Sequence, residues 1–360
     1  MDELELKENE TQATVDTEAP LDKNLRLMSP GMMVVRRFFR SKLSIVGLVM
    51  VISLFLFSFL GPVLLADTTE GYTDDSKWGE TELDRSGKVE YSVNVTTFTV
   101  NGVEYTIHQT TEKQVSDNFL QRPTAAHPLG TDDQGYDVLV RLMYGGRISL
   151  IVSFLAVFLM TIFGVIMGGL SGFFGGAVDT VIMRICDVLI CLPGIPILLI
   201  VGTALDNPDW GIDSQYRIYL LMTFLTFISW PGTARLVRGQ ILSLREQEFM
   251  VAAEAMGYST GRKIFKHLVP NVMPQLIVQM SLGLGSMILY EATLSYLNLG
   301  VRAPYAAWGT MINIITTNQD ILQNHLYVWV PAGVCIVIAV LGFNFVGDGL
   351  RDALDPKARR

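Results

Sequence analysis

Cysteine is scarce in this chain, charge is thin, and no phosphate-binding loop occurs. The three cysteines, Cys186, Cys191 and Cys335, all fall inside apolar runs, which argues against a disulfide framework or a zinc site and leaves them as small buried hydrophobes. His108, His127, His267 and His325 are scattered without metal-ligand spacing, so no metal is expected. No G-x-x-x-x-G-K-[ST] is present to cradle a nucleotide. Only 17% of the 360 residues are charged, whereas 50% are hydrophobic, and the mean hydropathy is +0.36. That balance is far from a soluble domain and implies a polytopic membrane protein. The formal net charge of -8 looks unfavourable for anionic lipid or nucleic acid, but where the charges lie matters more than their sum.

What is present is a succession of long apolar runs. Residues 1 to about 22 are rich in Asp, Glu and Thr, too poor in large apolar side chains to fold alone, so they read as a disordered stretch within a cytosolic tail at 1–42. Lys23, Arg26, Arg36, Arg37, Arg40 and Lys42 precede an uncharged run from Leu43 to Leu65. About 23 residues at a rise of about 1.5 Å span roughly 34 Å, enough for a bilayer core. A cleaved signal peptide is the competing reading, but the run is long, starts late and lacks a small-x-small cleavage site. The basic flank places the N-terminus in the cytosol.

Residues 66–132 then form an extracytoplasmic insertion. Its composition is acidic and polar, and Thr96–Val100 and Val103–Ile107 flank Asn101-Gly102, a dipeptide suited to a type I′ hairpin turn. Asp133 to Arg147 has apolar residues at helical spacing and is placed at the outer interface. Five further spans are expected at 148–174, 178–205, 218–236, 272–297 and 326–346, the third kinked by Pro193 and Pro196. Asn298 to His325 reads as an outer loop with a short interfacial helix near Met311, and Gly347 to Arg360 as a polar tail. Six crossings return the C-terminus to the cytosol. Arg235, Arg238, Arg245, Arg262, Lys263 and Lys266 between spans four and five, against Asp206, Asp209 and Asp213 in the preceding loop, agree with that orientation.

Within a cytosolic loop expected at 237–271, Ser243 to Asn271 is the longest charged interval in the second half. Ser243 and Glu246 stand at capping-box spacing, which predicts a helix start at Ser243. Phe249, Ala252, Ala253 and Met256 form one apolar stripe, Gly257 offers positive φ to close the helix, Ser259 or Thr260 caps a second short helix, and Pro270 limits it. By spacing alone this is a basic, two-part helical segment at a membrane surface, either a docking element for another protein or a plain amphipathic spacer.

These residues resemble a family. Phe249 to Asn271 is similar to the cytoplasmic Glu-Ala-Ala loop of permease subunits of binding-protein-dependent ABC importers, matched at Ala252, Ala253, Gly257, Ile264 and Pro270; Val251 and Val269 depart from it. HPLGTDDQGYDVLVRLMYGGRISL from His127, WPGTARLVRGQILSLREQEF from Trp230 and GDGLRDALDP from Gly347 are similar to the C-type permease of oligopeptide and dipeptide importers, with Tyr136 where Arg is commoner. The resemblance implies an all-α membrane protein with six transmembrane helices of the type I ABC importer permease kind, here with a small β-rich insertion. It implies a half-channel for peptides that pairs with a homologous second permease subunit, two cytosolic ABC ATPase subunits and an extracytoplasmic peptide-binding protein in the bacterial inner membrane. The chain would not be an enzyme and would bind no cofactor; ATP and Mg would sit on the partner subunits, and no nucleic acid is involved. Phe249 and Met256 would anchor the ATPase contact, Ala252, Ala253 and Gly257 would permit close approach, Glu254 would offer a salt bridge, and Ile264 and Pro270 complete the motif.

Polar residues inside apolar runs are the other candidates. Arg184 and Asp187 lie one helical turn apart and read as an intramembrane ion pair rather than a substrate site. Gln275 and Gln279 share a helix face and, with Glu291, are candidates for the translocation path. Gly168, Gly169, Gly283 and Gly285 read as close-contact positions. Import of nickel chelates or another small solute, or ATP-independent secondary transport, are the alternative functions.

Overall fold

A computed structural model describes residues 30–65, 89–100, 103–114, 119–124, 127–206, 211, 214–301 and 305–355. The 1–22 tail, the Asn101-Gly102 turn, Asp209, Asp213 and the basic end of the chain lie outside the described residues. Among the described residues, four helices are long and apolar enough to cross a membrane, and up to six spans result if each of two bent pairs counts as one.

The first helix, α1 (Pro30–Phe38), leads within four residues into α2 (Lys42–Phe55). Ser41 caps α2 by accepting from the Ser44 N–H at 3.4 Å. The helix widens into a π-helical turn at Leu56–Leu60 before continuing as Gly61–Leu65. Pro62 explains the widening, because a proline cannot donate to the carbonyl four residues back and its ring crowds that carbonyl. The carbonyl so released, that of Ser58, accepts instead from Arg147 Nε at 2.8 Å. Strands β1 (Val89–Val100) and β2 (Val103–Gln114) pair antiparallel, with Val89 opposite Gln114 and Val100 opposite Val103.

Helix α3 (Val138–Phe174) is continuous over 37 residues, about 55 Å. The expected division into an interfacial segment ending at Arg147 and a span beginning at Ile148 is therefore corrected. Val138, Val140, Leu142 and Met143 are as buried as the apolar run that follows, so packing extends the helix through the polar stretch. Asp137 starts it, accepting from the Leu139 and Val140 N–H groups at 2.8 and 3.1 Å.

The predicted third span is two helices, α4 (Gly176–Cys191) and α5 (Gly194–Leu205), bent by 79°, more than a kink. Leu192, before Pro193, is driven into extended backbone at ψ 131°, whereas Pro196 sits in the first turn of α5, where a missing N–H does no harm. The fourth is likewise a pair, α6 (Ser214–Ser229) and α7 (Pro231–Arg245), bent by 40°. Helix α7 runs through Ser243, so no helix begins there. Val237 and Ile241 are buried on one face of α7, and that packing carries the helix past its capping signal.

Next come α8 (Glu248–Ala255) and α9, which runs from Thr260 to Tyr296. Pro270 does not end α9: a π-helical turn at Lys263–Leu268 precedes it, the Val269 N–H reaching back to Ile264 O, so the wider turn absorbs the proline. The short helix α10 (Trp308–Asn313) is buried rather than interfacial, with Trp308 fully enclosed and its Nε1 donating to Leu142 O at 2.9 Å. After α11 (Gln319–Asn324), α12 (Leu326–Leu354) continues past the expected limit at 346. Gly47 of α2 and Gly342 of α12 let those two helices meet backbone to backbone, since a Cβ on Gly47 would lie 2.9 Å from Gly342 O.

The main core joins α3, α6, α9, α10 and α12 around Ile148, Leu221, Ile288, Leu294 and Trp308. Small residues set the α3–α7 contact. Gly164, Gly168 and Gly172 recur every four residues, and a Cβ on any of them would run into Thr233, Ala234 or Arg238 and Ile241 of α7. Of the glycines expected at close contacts, Gly168 is the tightest; a Cβ on Gly169 or Gly283 would find only contacts at 3.8 Å or beyond.

Candidate functional site

Helix α8 is held between the end of α7 and the start of α9 by its own apolar face. Met250 and Ala253 are buried, and Met250 joins Val237, Ile241, Leu268, Val272 and Leu276 in a compact cluster, with Phe249 and Ile264 packed at its edge. The expected single stripe of Phe249, Ala252, Ala253 and Met256 is therefore divided: Phe249 and Ala253 turn inward with Met250, and Ala252 and Met256 remain exposed. Met256 is the C-cap residue, off the helical register, and Ala252 lies on the outer side. The pairing of Met250 with Ala253, three residues on, was available in the sequence but did not stand out in so short an apolar segment.

Gly257 closes α8 at φ +68°. Its N–H bonds Glu254 O at 2.9 Å and the Tyr258 N–H bonds Ala253 O at 3.1 Å, the paired bonds of a Schellman ending. A Cβ on Gly257 would meet nothing within 4 Å, so the position faces open space. Ser259 precedes the first turn of α9 but makes no side-chain cap bond. Lys263 Nζ stands 3.5 Å from Glu254 Oε1, which ties α8 to α9. Arg262 covers the Tyr258 ring at 4.3 Å, and Tyr258 stacks on His267 at 5.7 Å. Outside this scaffold Val251 and Met256 are each 61% exposed and Phe265 is 76% exposed. Fully covering such a side chain releases about 1.5–3 kcal/mol, so this surface suits a protein partner. Ala252 and Pro270 are exposed there as well.

Beside the segment lies a cavity of about 890 Å³, with Gln240, Asn271, Gln275, Gln279, Arg351 and Asp355 in its wall. Gln275 and Gln279 thus line one cavity, and Gln279 Nε2 donates to Thr233 Oγ1 at 3.3 Å. Glu291 does not join them. It is wholly enclosed, with Oε1 accepting from Ser295 Oγ at 2.7 Å, so the expectation that it lines an open path is corrected. Helical spacing put Glu291 on α9, but α3 and α10 close over that turn of the helix.

Arg184 and Asp187 stand 3.5 Å apart, but Asp187 is held more closely by Arg235 of α7, at 2.6 Å. A second cross-link joins Asp179 of α4 to Arg238 of α7 through two bonds of 2.5 and 2.6 Å. Asp179, Arg235 and Arg238 were missed as partners because nearly fifty or more residues separate them; the only local sign was a carboxylate in an apolar helix.

At the other end of the bundle, Asp132 Oδ1 accepts from the Gln134 and Tyr136 N–H groups at 2.9 Å, and its other oxygen pairs with Arg141. Arg141 lies over the Tyr136 ring at 5.0 Å. Asp133 titrates above the ordinary carboxylate value although it keeps an exposed edge: desolvation is the larger cause, Asp132 adds to it and Arg141 opposes it. Arg217 bonds Asp206 at 2.9 Å and the Asn298 carbonyl at 2.9 Å. No group of three or more His, Cys, Asp or Glu side chains suited to a metal ion occurs among the described residues.

Comparison with known proteins agrees with this architecture. The profile of the binding-protein-dependent transport system inner membrane component family matches residues 160–360, and that of the N-terminal TM domain of oligopeptide transport permease C matches residues 29–77. The dipeptide transport system permease protein DppC of Alkalihalophilus pseudofirmus is 33% identical over 344 residues, 94% of each chain. The oligopeptide transport system permease protein OppC of Bacillus subtilis is 41% identical over 246 residues, 68% of this chain and 76% of that protein. With its bent span pairs and the capped helix between α7 and α9, this chain belongs to the inner membrane component family of binding-protein-dependent transport systems.

Proposed function

We propose that this chain is one half of the translocation path of an ATP-driven peptide importer, and that Val251, Ala252, Met256, Gly257 and Phe265 form the face that a cytosolic ATPase grips. The observation that carries the reading is the build of α8: a short C-capped helix whose inner face is fused to α7 and α9, while its outer face leaves Val251 and Ala252 uncovered beside the exposed carboxylates Glu248 and Glu254. Displacing α8 must displace Ile241 and Leu268, and so the helices that wall the inner cavity. A packed unit of this kind transmits a discrete movement rather than dissipating it.

ATP and Mg belong on two partner ATPases, a homologous second permease completes the channel, and an extracytoplasmic binding protein delivers peptide. The names of the relatives support peptides as the cargo. The basic residues around α7 and the start of α9 support cytosolic placement of this end and of both termini in a bacterial inner membrane. Glu254, paired with Lys263, links α8 to α9 at the exposed surface, and Ala253 and Ile264 pack the segment inward.

The test is uptake of labelled peptides by vesicles carrying the chain with its neighbouring permease, ATPase and binding-protein subunits. Uptake should require ATP and the binding protein. Uptake that persists without ATP but collapses with the ion gradient would replace this reading with secondary transport, and uptake of nickel chelates but not peptides would replace the cargo.

A further inference from the structure

Helix α1 carries more apolar surface than the protein covers. Successive residues turn by about 100°, which places Val34 and Phe38 on one side. Phe38 is buried there against α12, and a Cβ on Gly349 would lie 3.1 Å from its ring. Val35, Phe39 and Met32 continue the same apolar arc round the helix, yet each is at least 53% exposed. Phe39 stays in register because its N–H bonds Val35 O at 3.1 Å. Arg36 borders the arc, and Arg37, Arg40 and Lys42 follow, all exposed. The apolar stripe is thus wider than its contact with protein.

The depth of this stripe is set by the chain itself. Helix α2, an apolar span, begins at Lys42 and is capped by Ser41, so α1 ends within one turn of the level where α2 enters the bilayer. A short helix at that level, apolar on one side and cationic on the other, matches the physics of an interfacial helix. We propose that α1 lies in the headgroup layer of an anionic leaflet, with Met32, Val35 and Phe39 inserted at the acyl boundary and Arg36, Arg40 and Lys42 on lipid phosphates. Charge complementarity and continuity with α2 favour lipid over a second permease as the occupant.

The placement has a mechanical consequence. Arg37 Nη1 donates to Asp355 O at 3.3 Å, and Phe38 packs at Gly349, so α1 is fastened to the last turns of α12. Arg351, Leu354 and Asp355 of the same turns line the inner cavity. Anionic lipid that holds α1 therefore holds one wall of the cavity, and coupled uptake depends on it. This consequence rests on the transport reading; the placement of α1 does not.

The test uses the complete importer in vesicles of phosphatidylcholine alone or mixed with phosphatidylglycerol. Cys191 is the exposed native cysteine, so Val35→Cys and, as the control on the opposite face, Met33→Cys are labelled with a fluorophore in a Cys191→Ser background. The position-35 label should be quenched by nitroxide attached high on the lipid acyl chain, and the position-33 label by aqueous iodide. Arg36→Gln/Arg40→Gln/Lys42→Gln should move the position-35 label toward iodide quenching in the mixed vesicles and remove the gain in uptake that phosphatidylglycerol confers on the parent. A position-35 label shielded from both quenchers would show that protein covers the face, and one quenched by iodide in every vesicle would show that it lies in water; either overturns the placement. Correct quenching with uptake indifferent to phosphatidylglycerol in the parent would overturn the link to α12.

Discussion

Gly257 is where a single residue matters most in the coupling segment. Its φ of +68° penalises any side chain by about 1 kcal/mol or more, while the space around it is open. Gly257→Ala should therefore cost little beyond local strain. Gly257→Asp adds a charge to a surface meant to be covered, and burying it is costly. That variant should insert normally yet lose peptide uptake while the ATPases still turn over; normal uptake would remove Gly257 from the docking face. A second residue-scale expectation concerns Asp179 and Arg238, which share two short bonds between α4 and α7. Asp179→Asn and Arg238→Gln should be non-additive in thermal unfolding, with a coupling of about 1 kcal/mol because both side chains remain partly exposed. Additive losses would mean that the pair does not join the helices energetically.

At the scale of elements, the α3–α7 crossing depends on what is missing. Gly168 faces Ala234 O and the Val237 side chain so closely that no Cβ fits. Gly168→Ala should separate the helices and abolish a monodisperse detergent extract, whereas Gly169→Ala, whose added Cβ would find its nearest contact 3.8 Å away, should be tolerated. Met250→Ala would empty the centre of the α7–α8–α9 cluster at a cost of about 2–4 kcal/mol. The expected signature is a lowered melting temperature together with looser coupling of ATP hydrolysis to peptide; a full-strength coupling ratio would show that α8 acts independently of that cluster. The same elements show how far a sequence can be read. Positive φ at Gly257 follows from one residue's freedom and was legible. The inward turn of Met250, the run of α7 through Ser243 and the passage of α9 beyond Pro270 were not, because each depends on burial against a remote helix that outweighs the local signal.

For the molecule as a whole, orientation is the property to measure. Phe265 is the most exposed aromatic in the coupling segment, so Phe265→Cys, in a background lacking Cys191, reports which side that segment occupies. A membrane-impermeant thiol reagent should label it in inverted vesicles and not in intact cells, and assembled ATPases should protect it. Labelling from outside would invert the topology and, with it, the direction of import.

The number and placement of apolar runs, the polar insertion, the basic interval around α7 and α9 and the glycine that ends α8 were determined by the sequence alone, because hydrophobic length, charge bias and backbone freedom are local properties. The tertiary structure decided the rest. It bent two runs into angled pairs, carried α3 and α12 beyond their apolar limits, joined Asp179 and Asp187 to arginines of α7, and enclosed Glu291 while leaving Gln275 and Gln279 at the cavity wall. Those outcomes depend on which helix lies opposite, and a side chain's spacing along its own helix does not contain that information.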